Sequence, residues 1–451
     1  MLTYVKLKNF MSFKEVTFDF KNNKKDYKKF ISIYGENGSG KSNFVTSIDF
    51  LCRTVKSMDM GNDLTEIREK LFGDGKKLPD DFVEMILSSF DISKIMEDCR
   101  MIECEDPTYV EYGFMLNGHE GYYVLEFGSR FQKEVLYYFT GKQRGELYSI
   151  NNVNNSINMK FSNKLFTSSK VEDDFKNEIK KYWGKHTLLS VLQKERNEKN
   201  ELYIYEGVLK YAIDVVDMFK DISVFCKKPN GSRSGICCAK PYNILEDLAE
   251  GKVEEKNIFI LDKTESILSD FFSQSYADIK NVYYKKSKIN NEVQYRLIIQ
   301  KMIGGELRNI NFKNESAGTR QVLEIIRSIL GAFCGVTVIY DEIDDGIHDL
   351  LLKCIIESMK DEITGQLIIT THNTLLLESI DVKSAYIINV DYMGNKNVKC
   401  LDQYPRIQGS NNPRLMYLKG LFGGVPFCEY IDFSEIINSL DDNKDTGGGE
   451  D

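Results

Sequence analysis

Polar and apolar residues alternate near the start of the chain over residues 3–8 and 15–20, and a third, nearly all-apolar block covers 30–34. Period-two blocks of this length predict strands. After residue 42 the period lengthens. Phe44, Ile48, Leu51 and Val55 fall at i, i+4, i+7 and i+11 and mark one stripe of a helix. Residues 58–105 are mixed, with a helix expected around 82–96. Alternation returns at 109–116 and 122–127, which flank Asn117-Gly118, a tight-turn signal, and 135–140 reads as the next strand. From about 156 to 275 charged, helix-favouring stretches such as 171–182 and 187–199 take over, broken by a polar loop at 227–234. No sustained heptads occur there, so a long coiled-coil arm is not expected. Strands resume at 281–285, 294–301 and 309–313, with Gly304-Gly305 as a turn.

These shifts divide the chain into five parts. Residues 1–155 and 279–400 form two halves of one domain, 156–278 a helical insertion, 401–440 an extension of short elements and 441–451 a disordered tail. The 42% hydrophobic and 28% charged composition of the 451 residues suffices for a real core. No apolar run is long enough to span a bilayer, and the N-terminus lacks a signal-peptide core, so a cytosolic protein is expected. The 10 cysteines contain no CxxC spacing, and most read as small buried hydrophobes. The adjacent Cys237-Cys238 is the one oddity. A net charge of −9 gives no global nucleic-acid signature. The basic runs Lys24-Lys25 with Lys28-Lys29, and Lys227-Lys228 with Arg233 and Lys240, read as solvated loops.

Chemistry enters directly after the strand at 30–34. Gly35-Glu-Asn-Gly-Ser-Gly-Lys41-Ser42 is a phosphate-binding P-loop placed between a strand and a helix. Its glycines let successive N–H groups of Asn37, Gly38, Ser39, Gly40, Lys41, Ser42 and Asn43 face an anion, and the helix adds its positive end. Lys41 is expected on the β- and γ-phosphates of ATP and the Ser42 hydroxyl on Mg²⁺.

The far half supplies a second set. The apolar run 336–340 ends in Asp341-Glu342. Asp341 is expected to hold Mg²⁺, and Glu342, pointing to a different side, to align and deprotonate the attacking water. Residues 366–371 repeat the pattern and end in His372, a candidate γ-phosphate sensor. Between them Ser316-Ala317-Gly318-Thr319 opens a helix with Val322, Ile325, Ile326 and Ile329 on its apolar face. A Ser and a Gly at a helix start make a second anion site. One nucleotide does not need two such sites from one chain, but two head-to-tail copies would use both.

The ordered set of P-loop, Ser-Ala-Gly-Thr, Ile-Tyr-Asp-Glu and Thr-Thr-His resembles the ABC-type ATPase core of SMC-like proteins, and Leu7-Lys-Asn9-Phe10-Met-Ser12-Phe13 resembles the start of those heads. Within that group the chain is most similar to stand-alone bacterial anti-phage and abortive-infection ATPases, including OLD-like and PARIS-type ATPases. The motifs carrying this are Glu315-Ser-Ala-Gly-Thr319, Asp341-Glu-Ile-Asp-Asp-Gly-Ile-His348-Asp, Thr370-Thr-His-Asn-Thr374 and Tyr417-Leu-Lys-Gly-Leu-Phe-Gly-Gly-Val-Pro426. The resemblance implies an α/β P-loop NTPase fold of ABC/SMC-head type, with a mixed sheet, an antiparallel β lobe and a helical insertion. It also implies a homodimer or larger homo-oligomer closed around ATP, with Asp344 or Asp345 coupling the two sites.

The signature differs from the Leu-Ser-Gly-Gly-Gln of transporters, and Gln132 and Gln143 are the candidates for a Q-loop residue. Neither a TOPRIM-like domain nor a histidine cluster follows, since His119 and His186 are the only histidines besides His348 and His372. The implied role is an ATP-driven switch in anti-phage defence, with a phage product as trigger and a nuclease or toxin-like effector supplied by a partner. The alternative is a DNA-binding repair ATPase of the SMC-like kind.

Overall fold

The computed structural model describes residues 1–23, 26–58, 91–154, 156–198, 201–227, 233–236, 245, 247–405, 412–426, 433, 434 and 437. β1 (Leu2–Phe10) and β2 (Phe13–Asp19) form a hairpin that buries Val5, Leu7, Val16 and Phe18, as alternation requires. β3 (Lys21–Asn23) and β4 (Asp26–Tyr27) make a small ribbon. β5 (Phe30–Gly35) is buried at every position and runs into the P-loop and α1 (Lys41–Lys56). After α2 (Ile92–Cys99) the chain meanders through β6 (Thr108–Leu116), β7 (His119–Phe127), β8 (Phe131–Phe139), β9 (Arg144–Val153) and β10 (Ser156–Phe161). With β1 and β2 these strands form an antiparallel sheet of order β10-β9-β8-β7-β6-β1-β2. Asn117 and Gly118, both at positive φ, make the β6–β7 turn.

The helical insertion expected at 156–278 takes a different form. α3 (Ser169–Tyr182), α4 (Leu188–Glu198), α5 (Glu201–Gly207) and α6 (Lys210–Lys220) are there, but their buried faces join the same core as α1 and the antiparallel sheet. β10 lies at that sheet's edge. β11 (Ser223–Lys227) then enters the central sheet and pairs in parallel with the strand that carries the acids, while β12 (Arg233–Ile236) pairs with β11. Five residues are too few to set a period, so β11 is hidden between a helix and a polar loop. β13 (Glu250–Glu254) belongs to the next sheet.

Next come α7 (Ile258–Ser275), β14 (Ile279–Ile289), β15 (Glu292–Ile303) and β16 (Glu306–Asn311), with β15 pairing β13, β14 and β16. The last elements are α8 (Ala317–Phe333), β17 (Thr337–Tyr340), α9 (Asp349–Met359), β18 (Gln366–Thr370), β19 (Ala385–Val390), β20 (Lys396–Cys400) and α10 (Pro413–Leu418). The central sheet has the order β12-β11-β17-β18-β5-β19-β20, parallel except for its two edge strands.

Both faces of this sheet are covered. Ile31, Ile33, Ile339 and Ile368 face the core shared with α1 and the antiparallel sheet. Tyr34, Val338, Leu367 and Ile369 face the core shared with α8, α9 and the β13–β16 sheet. Each fully buried side chain of this kind contributes roughly 1.5–3 kcal/mol. Fully buried Gln366 joins the two larger sheets. It accepts from Leu2 N at 2.8 Å and donates to the carbonyls of Leu2 at 2.9 Å and Lys28 at 3.0 Å. The fold is α/β, with a mixed central sheet that carries the P-loop and an antiparallel lobe.

Lys28 corrects the reading of its basic run as a solvated loop. It is 5% exposed, donates to Tyr386 Oη at 2.5 Å and lies 3.4 Å from Cys400 Sγ. Tyr386 in turn donates to the Asp19 carbonyl. Lys24, Lys25, Lys240, Cys237, Cys238, most of the helix expected at 82–96 and the tail 441–451 lie outside the described residues. No described helix is long and apolar enough to cross a membrane.

Candidate functional site

The P-loop turns because Gly38 (φ 77°) and Gly40 (φ 107°) adopt conformations that side-chain-bearing residues rarely enter. A Cβ at Gly40 would also strike the Phe13 ring at 2.6 Å. Gly40 caps α1, whose buried stripe of Phe44, Val45, Ile48, Leu51, Cys52 and Val55 anchors it below the loop. Lys41 is buried and lies back along the loop, donating to the carbonyls of Gly35 at 2.8 Å and Glu36 at 3.1 Å. Burial holds its pKa below the ordinary lysine value, against the pull of the Glu342, Asp341, Asp344 and Glu36 carboxylates. The P-loop lysine and the expected acids therefore share one electrostatic environment. Among the described residues the buried Ser39 Oγ has no partner, as suits an atom that a bound oxyanion would satisfy.

Asp341 is 2% exposed at the end of β17. Its Oδ1 accepts from Thr370 Oγ1 at 2.6 Å, and the same hydroxyl accepts from Glu342 N at 2.8 Å. Glu342 is half-buried and sits at φ 47°, a strained position for a non-glycine residue. His372, exposed at the end of β18, donates its backbone N–H to Asp344 Oδ2 at 3.0 Å. Surrounding protein and then the Lys41 charge hold its imidazole below the usual pKa, so the ring is neutral at pH 7. Asn373 fixes the turn after it, donating to the Asp349 carbonyl at 3.1 Å and accepting from Leu375 N at 2.9 Å.

Among the described residues no group of three His, Cys, Asp or Glu is gathered to hold a metal alone. Mg²⁺ does not need one, because it takes one or two protein oxygens and completes its shell with phosphates and water. The Ser42 hydroxyl and the Asp341 carboxylate fit that requirement.

The signature residues start α8. Ser316 caps α8, its Oγ accepting from Thr319 N at 3.1 Å, and Ser316 and Ala317 are exposed. Gly318 lies so close to the segment after the acids that a Cβ would meet Gly346 O at 2.8 Å. Exposed Asp345 belongs to that same segment. Among the described residues no hydrogen bond or ion pair joins 316–319 to 35–43. Gln132 lies in β8 and Gln143 in the turn after it.

Three contacts go beyond the sequence analysis, where Thr370 and residues 417–426 stand only as parts of motifs. Thr370 ties both acids together, set beside Asp341 by the parallel register Tyr340↔Ile369, which only the structure shows. Lys396 reaches the P-loop from β20, donating to the Gly38 carbonyl at 2.8 Å and to Ser12 Oγ. The glycine-rich stretch after α10 returns to the site: a Cβ at Gly424 would lie 3.5 Å from Gly35 Cα and 2.5 Å from Ile387 Cγ2. Gly420, Gly423 and Gly424 all have positive φ, and Tyr404 Oη pins the stretch by donating to the Phe422 carbonyl at 2.9 Å.

Residues 251–378, less than half of the chain, match the family described as "AAA domain, putative AbiEii toxin, Type IV TA system". No curated protein matches the chain. Among solved structures, an SMC head bound to the C-terminal winged-helix domain of ScpA aligns at 15% identity and a TM-score of 0.42, covering 88% of this chain and 96% of its own. The SMC head domain from Thermotoga maritima aligns at 14% identity and a TM-score of 0.38, covering 88% and 98%. With both TM-scores below 0.5, neither alignment carries an argument, and the fold stands on the strand order and the P-loop: an α/β domain with a P-loop between β5 and α1.

Proposed function

We propose that the chain binds and hydrolyses Mg·ATP as an ATP-clasped pair of head-to-tail copies, and that this cycle is a switch in bacterial anti-phage defence. The observation that carries the reading is a divided site. Lys41, Asp341, Thr370, Glu342 and His372 are linked to one another by hydrogen bonds or by charge, while Ser316–Thr319 form a pre-capped helix start that no hydrogen bond or ion pair among the described residues joins to residues 35–43. In the clasped pair Ser316, Ala317, Gly318 and Thr319 of one copy cover the γ-phosphate held by the other, and Asp344 and Asp345 line the junction.

Within each site the N–H groups of residues 37–43 and the Lys41 ammonium bind the β- and γ-phosphates. Ser42 and Asp341 hold Mg²⁺, which neutralises charge on those phosphates. Thr370 aims Asp341 and fixes the backbone of Glu342. Glu342 orients the attacking water and takes its proton, and neutral His372 reads the γ-phosphate.

The match of residues 251–378 to a family described by a putative AbiEii toxin and a type IV toxin–antitoxin system supports the defence role. The effector, a nuclease or toxin-like subunit, acts in trans, and a phage product biases the open–closed equilibrium in the cytoplasm. Glu342→Gln should reduce turnover on the order of a hundred-fold or more and accumulate ATP-bound dimers by light scattering. A variant that binds ATP yet stays monomeric at all concentrations defeats the clasped-pair reading.

A further inference from the structure

The strand order gives a bound nucleotide a direction. β17 and β18, which end in the acids and His372, lie on one side of β5, and β19 and β20 lie on the other. A γ-phosphate turned toward the acids leaves the nucleoside end facing β19 and β20. Lys396, the first residue of β20, stands there. Its ammonium bonds the Gly38 carbonyl and Ser12 Oγ and lies 5.6 Å from the centroid of the Phe13 ring. Ser12 Oγ also accepts from Asn43 Nδ2 at 2.5 Å, which ties the β1–β2 turn to the first turn of α1.

All of these Lys396 partners are neutral, and among the described residues it forms no ion pair. The Glu36 carboxylate acts on its charge from farther off, and a partly buried ammonium whose hydrogen-bond partners are all neutral still gains from an anion. The hairpin behind it is well braced. Asp391 Oδ1 accepts from Met393 N at 2.9 Å and Asn395 N at 2.8 Å, and Gly394 (φ 77°) completes the turn. Beside Lys396 a cavity of about 600 Å³ opens between β2 and this hairpin, lined by Val16, Thr17, Asn389, Asn395 and Asn397 among others. The volume is within the range of small-ligand sites.

We propose that Lys396 is a second lysine of the nucleotide site: it binds the α-phosphate, exchanging the Gly38 carbonyl for a phosphate oxygen, and the cavity between β2 and β20 takes the ribose and base. This rests on the nucleotide-binding reading above. The exposed amide of Asn397 offers a donor and an acceptor to a base edge, and Glu15, Asp391 and Lys399 also line the cavity.

Titration calorimetry on the full chain with Mg²⁺ and ATP, ADP or pyrophosphate tests it. Lys396→Ala should weaken ATP and ADP alike by about ten-fold and leave pyrophosphate, which needs only Lys41 and the loop, within about two-fold. Lys396→Arg should recover most of the loss. Thr17→Trp, which fills the cavity from an exposed strand position, should weaken ATP and ADP but not pyrophosphate. The proposal is overturned if Lys396→Ala weakens pyrophosphate as much as ATP, since Lys396 would then act only by shaping the loop. It is also overturned if ATP affinity survives both variants. A wild-type chain that binds none of the three ligands would instead remove the nucleotide-binding reading itself.

Discussion

Thr370 spends one hydroxyl on two acids, donating to Asp341 Oδ1 and accepting from the N–H of Glu342. Hydrogen bonds to charged groups contribute about 1.5–3 kcal/mol. Thr370→Val keeps the shape and removes both bonds. We expect kcat to fall about ten- to a hundred-fold, with ATP affinity changed by less than about three-fold, as steady-state kinetics and calorimetry on the same preparation would read. An unchanged kcat would show that Asp341 and Glu342 hold their positions without it. At this scale the sequence shows residue types and not their contacts. Asp341, Glu342 and His372 stand out because acids and histidine at strand ends are chemically conspicuous. A threonine closing a strand and a lysine in an exposed hairpin are not, and their roles depend on neighbours brought from far along the chain.

Among the elements, the long periodic ones were legible. The stripes of α1 and α8 and the Asn117-Gly118 hairpin lie where the pattern puts them. β11, β19 and β20 are five or six residues long, and their identity comes from pairing with the central sheet rather than from their own periodicity. The four helices of 169–220 were legible as helices in part, but not as a wall of the shared core.

Fully buried Glu134 of β8 explains how that wall is fixed. It accepts from Tyr123 Oη and Tyr148 Oη at 2.9 Å each, Trp183 Nε1 at 2.8 Å and the free N–H of Leu188 at the start of α4 at 2.9 Å. Burial pushes its pKa up, and these donors pull it back. Glu134→Gln replaces one acceptor by an NH₂ facing donors. We expect it to destabilise the chain by about 1–3 kcal/mol in urea unfolding, with no change in ATP affinity once folded. A variant as stable as wild type would mean that the helices are held by apolar contact alone.

For the whole molecule, the divided site makes two copies complementary in a testable way. Lys41→Ala lacks the phosphate lysine but keeps its signature end, and Ser316→Arg blocks the signature end but keeps its P-loop. Neither should hydrolyse ATP alone. Mixed, they should regain turnover that rises with the product of the two concentrations, because one composite site is intact. Mixing that restores nothing would show that hydrolysis needs no second copy.

Gly424 lies against Gly35 across most of the chain's length. On a translating ribosome, the P-loop strand and helix emerge early and must wait for residues 420–424 before the turn at Gly35 gains this neighbour. Synthesis of residue 424 therefore times the maturation of the nucleotide site.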